Sequence, residues 1–383
     1  MRIALDARYL DGQGSGIRSY TLNLSRALLA ADLSLELLLV RRGPRPVGPD
    51  HFADEIAAGR VRELRVAYPP NSPLTRHLLG GALAGERFDL YHAPYAVLPR
   101  GLRRPSAVTV HDVMWLVNPA FNTRSRLRQL VAGTFFRRSL LAAMTSAGRI
   151  LTVSAATQRA IADRAPWHAA KIRVTPNGVD RDAIRRLSRE EAFRTIAPFV
   201  PAGTPFVLTV GDASPHKNHL NAVRGFLEAF ADRPEYRLVL VRRFLRSDPQ
   251  LHRLLRHPLV TPRVIALPHV PDAVLNGLYH AARLLLHPSY HEGFGIPLLE
   301  AMAAGIPVVT ANVSCLPEVA GPAALLVDPA DPGAIARALR CLEGDEALRA
   351  RLIAAGEQRL EIFTWEACAR GTLAAYRELV EVP

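Results

Sequence analysis

The stretch His291-Glu292-Gly293-Phe294-Gly295-Ile296-Pro297-Leu298-Leu299-Glu300-Ala301-Met302-Ala303-Ala304-Gly305 follows the run Arg283-Leu284-Leu285-Leu286-His287-Pro288-Ser289. The apolar run has the length and composition of a buried strand that stops at Pro288. Gly293 and Gly295 form the turn that follows. Pro297 suits the first position of a helix, where its missing N–H costs nothing, and Gly305 suits the C-terminal cap. Strand, glycine turn and helix N-terminus in succession make an anion site, because free backbone N–H groups and the helix dipole point at whatever docks there. Glu292 and Glu300, eight positions apart, bracket that site. Acidic residues near a helix start also serve simply to complement the dipole. Combined with two glycines and a proline, they point instead to a ligand with phosphate at one end and hydroxyls at the other, as in a nucleotide sugar.

Outward from this stretch, the same alternation recurs. Before and after it, the segments Phe206–Val210, Arg237–Val241, Arg263–Ala266, Arg283–His287, Pro307–Thr310 and Ala324–Val327 read as strands. His219–Phe230, Val274–Ala282 and Pro332–Leu342 read as helices between them. The first half repeats the pattern, with strands Arg2–Asp6, Glu36–Val40, Leu90–Ala93, Ala107–Val110 and Ile150–Val153, and helices Ser19–Ala30 and Thr123–Ala147. Alternation of this kind implies parallel sheets covered by helices. Pro198, Pro201, Gly203 and Pro205 crowd one short segment, which marks a domain boundary. The expected fold is α/β, with one domain over residues 1–195 and a second over 196–364. Trp365–Val380 forms a long helix after the second sheet is complete.

Bulk properties narrow the function. A chain of 383 residues, 49% hydrophobic and 22% charged, suits two globular domains. Cys315, Cys341 and Cys368 are odd in number and have no metal-ligand spacing, which suits a reducing compartment. No signal-like apolar run opens the chain, and none approaches the ~20 residues that span a bilayer. A cytoplasmic protein is therefore expected. The net charge of +13 is uneven: residues 1–190 carry 29 Lys+Arg against 15 Asp+Glu, and residues 191–383 carry 19 against 20. A basic half can meet nucleic acid, an anionic membrane or a diphosphate-bearing substrate. No nucleic-acid motif accompanies it, so nucleic acid is not expected as a partner. Only Lys171 and Lys217 are lysines. A lysine surviving in so arginine-biased a chain singles out Lys217.

Chemistry-bearing residues fall at strand ends, where open α/β sheets bind ligands. Gly211-Asp212-Ala213-Ser214-Pro215-His216-Lys217-Asn218 follows one strand, and Lys217 there can neutralise a diphosphate. Gly12-Gln13-Gly14-Ser15-Gly16 joins the first strand to the first helix, and Gly14 and Gly16 permit close approach to phosphate. Ser19 stands where a third glycine would complete a dinucleotide fingerprint, which weakens a dehydrogenase reading. His111 ends another strand and can bond a sugar hydroxyl or steady developing charge. His92 and Ser154 end two more and are acceptor-side or structural candidates. No Asp-x-Asp motif or His/Cys cluster suggests a metal, so no cofactor is expected.

Together these motifs resemble the retaining, nucleotide-sugar-dependent glycosyltransferases of family 4, the group 1 glycosyltransferases, with their E-x7-E signature. The likeness covers nearly the whole chain: Met1–Arg8, Gly14–Ile17, Thr109-Val110-His111-Asp112, Thr152-Val153-Ser154, Pro176-Asn177-Gly178-Val179-Asp180, His216-Lys217-Asn218 and Leu316–Gly321. Its flavour is that of bacterial O-antigen and capsule mannosyltransferases. The resemblance implies the GT-B fold, two Rossmann-like domains facing a cleft, with the helix within 365–383 returning to the first domain. It implies that Glu300 binds the donor ribose, that Glu292 contacts the donor sugar, and that Gly293, Phe294, Gly295 and Ile296 cradle sugar and phosphate through their backbone. Lys217, Gly211 and the Gly14–Gly16 loop would hold the diphosphate, with His111, Glu292 and Lys217 carrying catalysis. Val270 would border the base. Asn177 is placed near the acceptor.

Asp212 departs from the family pattern, which has a cation or threonine there. Arg242 and Arg243 occupy a turn where relatives have glycine and lysine, and Arg243 is the candidate to compensate. The implied partners are a nucleoside diphosphate sugar, GDP-mannose first, and a glycan or polyprenyl-diphosphate-linked acceptor. The basic, apolar helix Thr123–Ala147 suggests the inner-leaflet surface as a further partner. A nucleotide-sugar epimerase of the same fold, or a non-catalytic sugar-binding subunit, are the alternatives; turnover with and without acceptor separates them.

Overall fold

The computed structural model describes residues 1–11, 16–43, 51–181, 183–184, 187–243 and 248–381. The chain forms two compact units: residues 1–113, 131–178 and 364–383 make the first, and residues 114–130 and 179–363 the second. The division falls at 178/179 rather than at the expected 195/196. The helix Arg189–Ile196 explains the difference, since it packs on the helix Asp272–Ala281 of the second unit.

The first unit holds a seven-stranded parallel sheet: β1 Arg2–Asp6, β2 Glu36–Arg42, β3 Val61–Val66, β4 Leu90–Ala93, β5 Ser106–Val110, β6 Arg149–Thr152 and β7 Ile172–Val174, in the order β3-β2-β1-β4-β5-β6-β7. The second holds six: β8 Phe206–Asp212, β9 Arg237–Arg243, β10 Val264–Leu267, β11 Leu284–His287, β12 Val308–Ala311 and β13 Ala324–Val327, in the order β10-β9-β8-β11-β12-β13. Each sheet grows outward in one direction from its first strand, then reverses. The reversal lies between β1 and β4 in one unit and between β8 and β11 in the other. Loops leaving the carboxyl ends of those two strands diverge to opposite faces and leave a crevice.

The central strands are largely apolar, as strands covered on both faces must be. Leu238, Leu240, Leu284 and Leu286 pack with Val223, Phe226, Ile335 and Leu339 in one buried cluster of the second unit. Strand β3 was not expected. Its sequence Val-Arg-Glu-Leu-Arg-Val interleaves charges because it is an edge strand, and edges carry charge to avoid further pairing. Glu63 there bridges Arg41 on β2 and Arg65 on its own strand.

Trp365–Val380 is a helix of the first unit and packs on the helix Gly16–Ala31. A buried polar chain ties it to the sheet. The hydroxyl of Tyr376 lies 2.6 Å from His92 Nδ1, His92 Nε2 lies 2.8 Å from Thr109 Oγ1, and that oxygen is 2.8 Å from the hydroxyl of Tyr20. Burial pushes His92 down to a pKa of about 3, so the ring is neutral. His92, fully buried with both nitrogens engaged, fastens the helix and offers nothing to an acceptor; the acceptor-side alternative for it is corrected. The variant Tyr376→Phe keeps the ring and orphans His92 Nδ1. It is expected to destabilise the first unit by about 1–3 kcal/mol, the cost of a buried unsatisfied polar group. Denaturant unfolding of the variant beside wild type measures this.

Candidate functional site

The crevice of the second unit is built from the loop after β8 and the loop after β11. Pro215–Lys217 forms a single 3-10 turn, and Asn218 follows in the left-handed region at φ 56°. The Asn218 side chain donates from Nδ2 to the carbonyls of Pro288, at 2.9 Å, and Pro329, at 2.7 Å. The Tyr290 N–H donates to the carbonyl of His216 at 2.7 Å. These bonds lock the two loops together and bring Lys217 over Glu292. The ammonium Nζ donates to Oε1 at 2.7 Å and to Oε2 at 3.0 Å. Gly211 lies under the lysine stem, and a Cβ there would sit 3.2 Å from Lys217 Cδ.

Glu292 is also met from the strand side. His287, at the end of β11, lies 3.0 Å from Oε1 through Nε2. Burial holds His287 below its ordinary pKa, so a neutral ring donates its Nε2–H to the carboxylate. Burial alone would raise the Glu292 carboxyl, but the Lys217 charge and the His287 hydrogen bond outweigh it and hold the group well below the carboxylate range. Its backbone is pinned as well: Ser314 Oγ donates to the Glu292 carbonyl at 2.6 Å. The result is a buried carboxylate of fixed charge and fixed direction.

Gly295 ends the turn at φ 97°, a conformation that side chains rarely adopt, and caps the helix Ile296–Ala303. Pro297 sits in its first turn, and Gly305 follows its end at φ 72°. The Phe294 ring is buried edge-on against Phe363 at 5.4 Å, anchoring the turn so that the backbone of Gly293 and Ile296 stays partly exposed. Glu300, half-buried one turn into the helix, accepts from the hydroxyl of Tyr279 at 2.6 Å through Oε2. Burial raises its pKa despite that bond. Lys217, Glu292, the helix start and Glu300 therefore belong to one locus, with a cation, fixed amides and two carboxylates in series.

Other expected residues lie elsewhere or have other roles. Gly14 and Phe244 are outside the described residues, as is the Arg243 side chain. Gly16 begins the helix Gly16–Ala31 and is exposed. Val270 is buried just before the helix Asp272–Ala281. Arg242 is 1% exposed; burial lowers its pKa, opposed by the Asp248 and Asp212 carboxylates, so it is no open phosphate contact. Asp212 bonds the Ser214 N–H at 2.9 Å.

In the first unit, His111 sits at the end of β5 with its ring edge-on to Tyr20 at 4.7 Å. Burial lowers its pKa, and the neutral ring donates Nε2–H to the Pro94 carbonyl at 2.9 Å, which leaves Nδ1 as an acceptor. Ser154 caps the helix Ala155–Arg164 by accepting from the Thr157 N–H. Asn177 is buried, and its Oδ1 has no hydrogen-bond partner among the described residues. A Cβ at Gly178 would lie 2.2 Å from the backbone nitrogen of Trp365, so the Asn-Gly pair marks close chain packing beside the unit boundary. Among the described residues, no three His, Cys, Asp or Glu converge as a metal-holding group.

Sequence reading assigned no role to His287 or Tyr279, and none to Asn218 beyond its place in His216-Lys217-Asn218. A histidine closing the strand next to the reversal, five residues before Glu292, was a usable signal for the first. Tyr279 gave none, because helix contacts across 21 residues leave no local pattern.

The family model "Glycosyl transferases group 1" matches residues 194–359, and "Glycosyltransferase Family 4" matches residues 14–183. The O-antigen chain mannosyltransferase B of Escherichia coli is 34% identical over 304 residues, covering 78% of this chain and 76% of its own. A D-inositol 3-phosphate glycosyltransferase of Acidothermus cellulolyticus is 32% identical, over 61% of this chain and 54% of its own. Among solved structures, sucrose-phosphate synthase from Thermosynechococcus elongatus superposes with a TM-score of 0.77 at 24% identity, over 100% of both chains. The fold is GT-B, two parallel-sheet Rossmann-like domains. On its sheets, its motifs and its matched relatives, this chain belongs to the group 1 glycosyltransferases.

Proposed function

We propose that this glycosyltransferase is retaining and moves a hexosyl group, mannose first, from a nucleoside diphosphate sugar to a glycan or polyprenyl-diphosphate-linked acceptor. The process served would be cell-surface polysaccharide synthesis on the cytoplasmic face of the inner membrane. The name of the Escherichia coli relative supports mannose and O-antigen. The carrying observation is the Lys217–Glu292 pair at the reversal of the second sheet. In the free enzyme the carboxylate neutralises the ammonium. An arriving diphosphate competes for Lys217 and frees the Glu292 oxygens to accept from sugar hydroxyls, while His287 keeps them aimed.

The amides of Gly293 to Ile296 face the phosphates, and Glu300 Oε1 accepts from the ribose. As the sugar C1–O bond to the diphosphate breaks, the acceptor oxygen bonds C1 on the same face and its proton passes to the leaving diphosphate. Charge grows on the diphosphate during that step, so Lys217 and the helix start stabilise the transition state more than the ground state. His111 Nδ1 is the acceptor for a sugar hydroxyl, and Asn177 is an acceptor-side residue. No cofactor or metal is needed, since Lys217 and backbone amides supply the positive charge.

Among the described residues, no helix is long and apolar enough to cross a membrane. The helix Arg126–Ser146 nevertheless exposes Leu127, Leu130 and Val131, at 71, 68 and 63%, beside Arg126, Arg128, Arg137 and Arg138. We propose that this face rests on anionic lipid. Arg124 is not part of it, because it pairs with Asp248 at 2.8 Å.

Three outcomes are expected. Lys217→Ala lowers kcat for hexosyl transfer more than it weakens donor binding; steady-state kinetics beside calorimetric donor titration decide it, and a loss confined to binding would remove Lys217 from the reaction. Turnover persists in EDTA and is not restored or raised by magnesium or manganese; a metal-dependent rate would overturn the metal-free reading. Replacing Arg126, Arg128, Arg137 and Arg138 with Ser reduces co-sedimentation with anionic vesicles at low salt and leaves donor affinity unchanged, since each basic residue near such a surface is worth about 1 kcal/mol. Wild-type protein that stays in the supernatant would end the membrane proposal.

A further inference from the structure

A second basic cavity lies in the first unit, at the opposite edge of its sheet from the crevice loops. It measures ≈ 420 Å³ and is lined by Arg76, Arg100, Arg104, Ser106, Ser139 and Ser146, with apolar backbone-rich segments between them. Ser106 begins β5, whereas His111 follows its far end. The length of the strand, about 13 Å at ~3.3 Å per residue, separates the two. The cavity is therefore no part of the site already described.

Its walls are specifically built. The loop between β4 and β5 folds back along the helix Pro73–Leu83, with the Arg100 N–H donating to the Arg76 carbonyl at 2.9 Å. Gly80 on that helix makes the approach possible: a Cβ there would lie 1.9 Å from the Arg100 carbonyl oxygen. Gly101 then turns the chain at φ 75° and sends Arg104 to the cavity rim. The opposite wall is the helix Arg126–Ser146, which presents Ser139, Ala142 and Ser146. Ser106 and Ser139 are almost wholly buried, at 6 and 3%.

The charges are unbalanced. No acidic residue lines the cavity, and no hydrogen bond or ion pair among the described residues occupies the guanidinium of Arg76, Arg100 or Arg104. The buried arginines of this unit have carboxylates, Arg8 with Asp6 and Arg41 with Asp11 and Glu63, whereas Arg76 is partly buried and Arg100 and Arg104 stand exposed at the cavity rim. Three like charges around one concavity repel each other, and an anion relieves that repulsion. Guanidinium forks and hydroxyls are the donors that planar or tetrahedral oxyanions accept from in pairs. The volume exceeds that of an inorganic phosphate and suits a larger phosphorylated group.

We infer that this cavity is a second anion site, which binds a phosphate monoester or diphosphate independently of the donor crevice. The same chemistry is offered by a soluble phosphorylated saccharide and by a lipid headgroup, and the test separates them. Inorganic pyrophosphate is titrated calorimetrically at low ionic strength into wild type, into Lys217→Ala, and into the triple variant Arg76→Ser, Arg100→Ser, Arg104→Ser. The single variant Arg104→Glu, at an exposed position, guards against misfolding of the triple.

The expected result is a binding event that survives in Lys217→Ala and weakens at least about tenfold in both arginine variants, with nucleotide-sugar affinity unchanged in them. Retention by Lys217→Ala makes the outcome independent of the donor-site reading. Co-sedimentation with vesicles of phosphatidic acid, compared with phosphatidylglycerol at equal surface charge, then assigns the source. Preference for the monoester headgroup that is lost in the triple variant identifies a lipid ligand, and its absence identifies a soluble one. No pyrophosphate binding beyond that abolished by Lys217→Ala, or binding indifferent to the three arginines, overturns the proposal.

Discussion

The buried pair of Lys217 and Glu292 is the constraint around which the second unit is arranged. Two charges so little exposed are costly to remove from water, and their attraction offsets that cost only with good geometry and further hydrogen bonds. The structure supplies both. Asn218 and the Tyr290–His216 bond fix the two loops, Gly211 clears the lysine stem, His287 holds the Glu292 carboxylate, and Ser314 holds the Glu292 backbone carbonyl. On the proposed function, such a pair would exchange partners at little net expense, because an entering dianion would give the ammonium a better one.

The first unit shows where much of the positive charge of the chain goes. Arg8 is wholly enclosed with Asp6, and its Nη1 also donates to Thr75. Arg41 joins Asp11 to Glu63, and Arg60 donates to the carbonyls of Leu29 and Asp32. These guanidiniums act as structural cross-links between strands, turns and helix ends. Each such pair uses one carboxylate per guanidinium, so the net excess resides on the remaining arginines, among them those of the helix Arg126–Ser146 and of the cavity beside Arg104.

The fold was legible because its evidence is local and repeated. Apolar runs of buried parallel strands, broken by Gly and Pro, located eleven of the thirteen strands. The two missed, β3 and β7, are edge strands, one interrupted by charges and the other only three residues long, so neither shows a clear apolar run. In the site, the turn around Gly295 and the two glutamates could be read because they share one continuous segment. Lys217 stood out through composition. The partners that set their electrostatics come from other elements: His287 left a signal at the end of its strand, whereas Tyr279, on a helix 21 residues before Glu300, left none. His92, which one dimension leaves open between an acceptor-side and a structural role, is shown by its burial and its bond to Tyr376 to be a fastener.

The division of the chain has a consequence for synthesis. The second unit is nearly continuous, whereas the first is assembled from three separated pieces, the last of which is the helix Trp365–Val380. A polypeptide made from its amino end therefore produces the first sheet early but cannot cover it until residues 365–380, which follow the whole second unit, have been made. During that interval His92 and the apolar flank under Tyr376 are exposed to the solvent and to any chaperone at hand. The amino-terminal domain, though first made, is the last to be finished, and a shortened tail would be felt there rather than in the domain that precedes it in sequence.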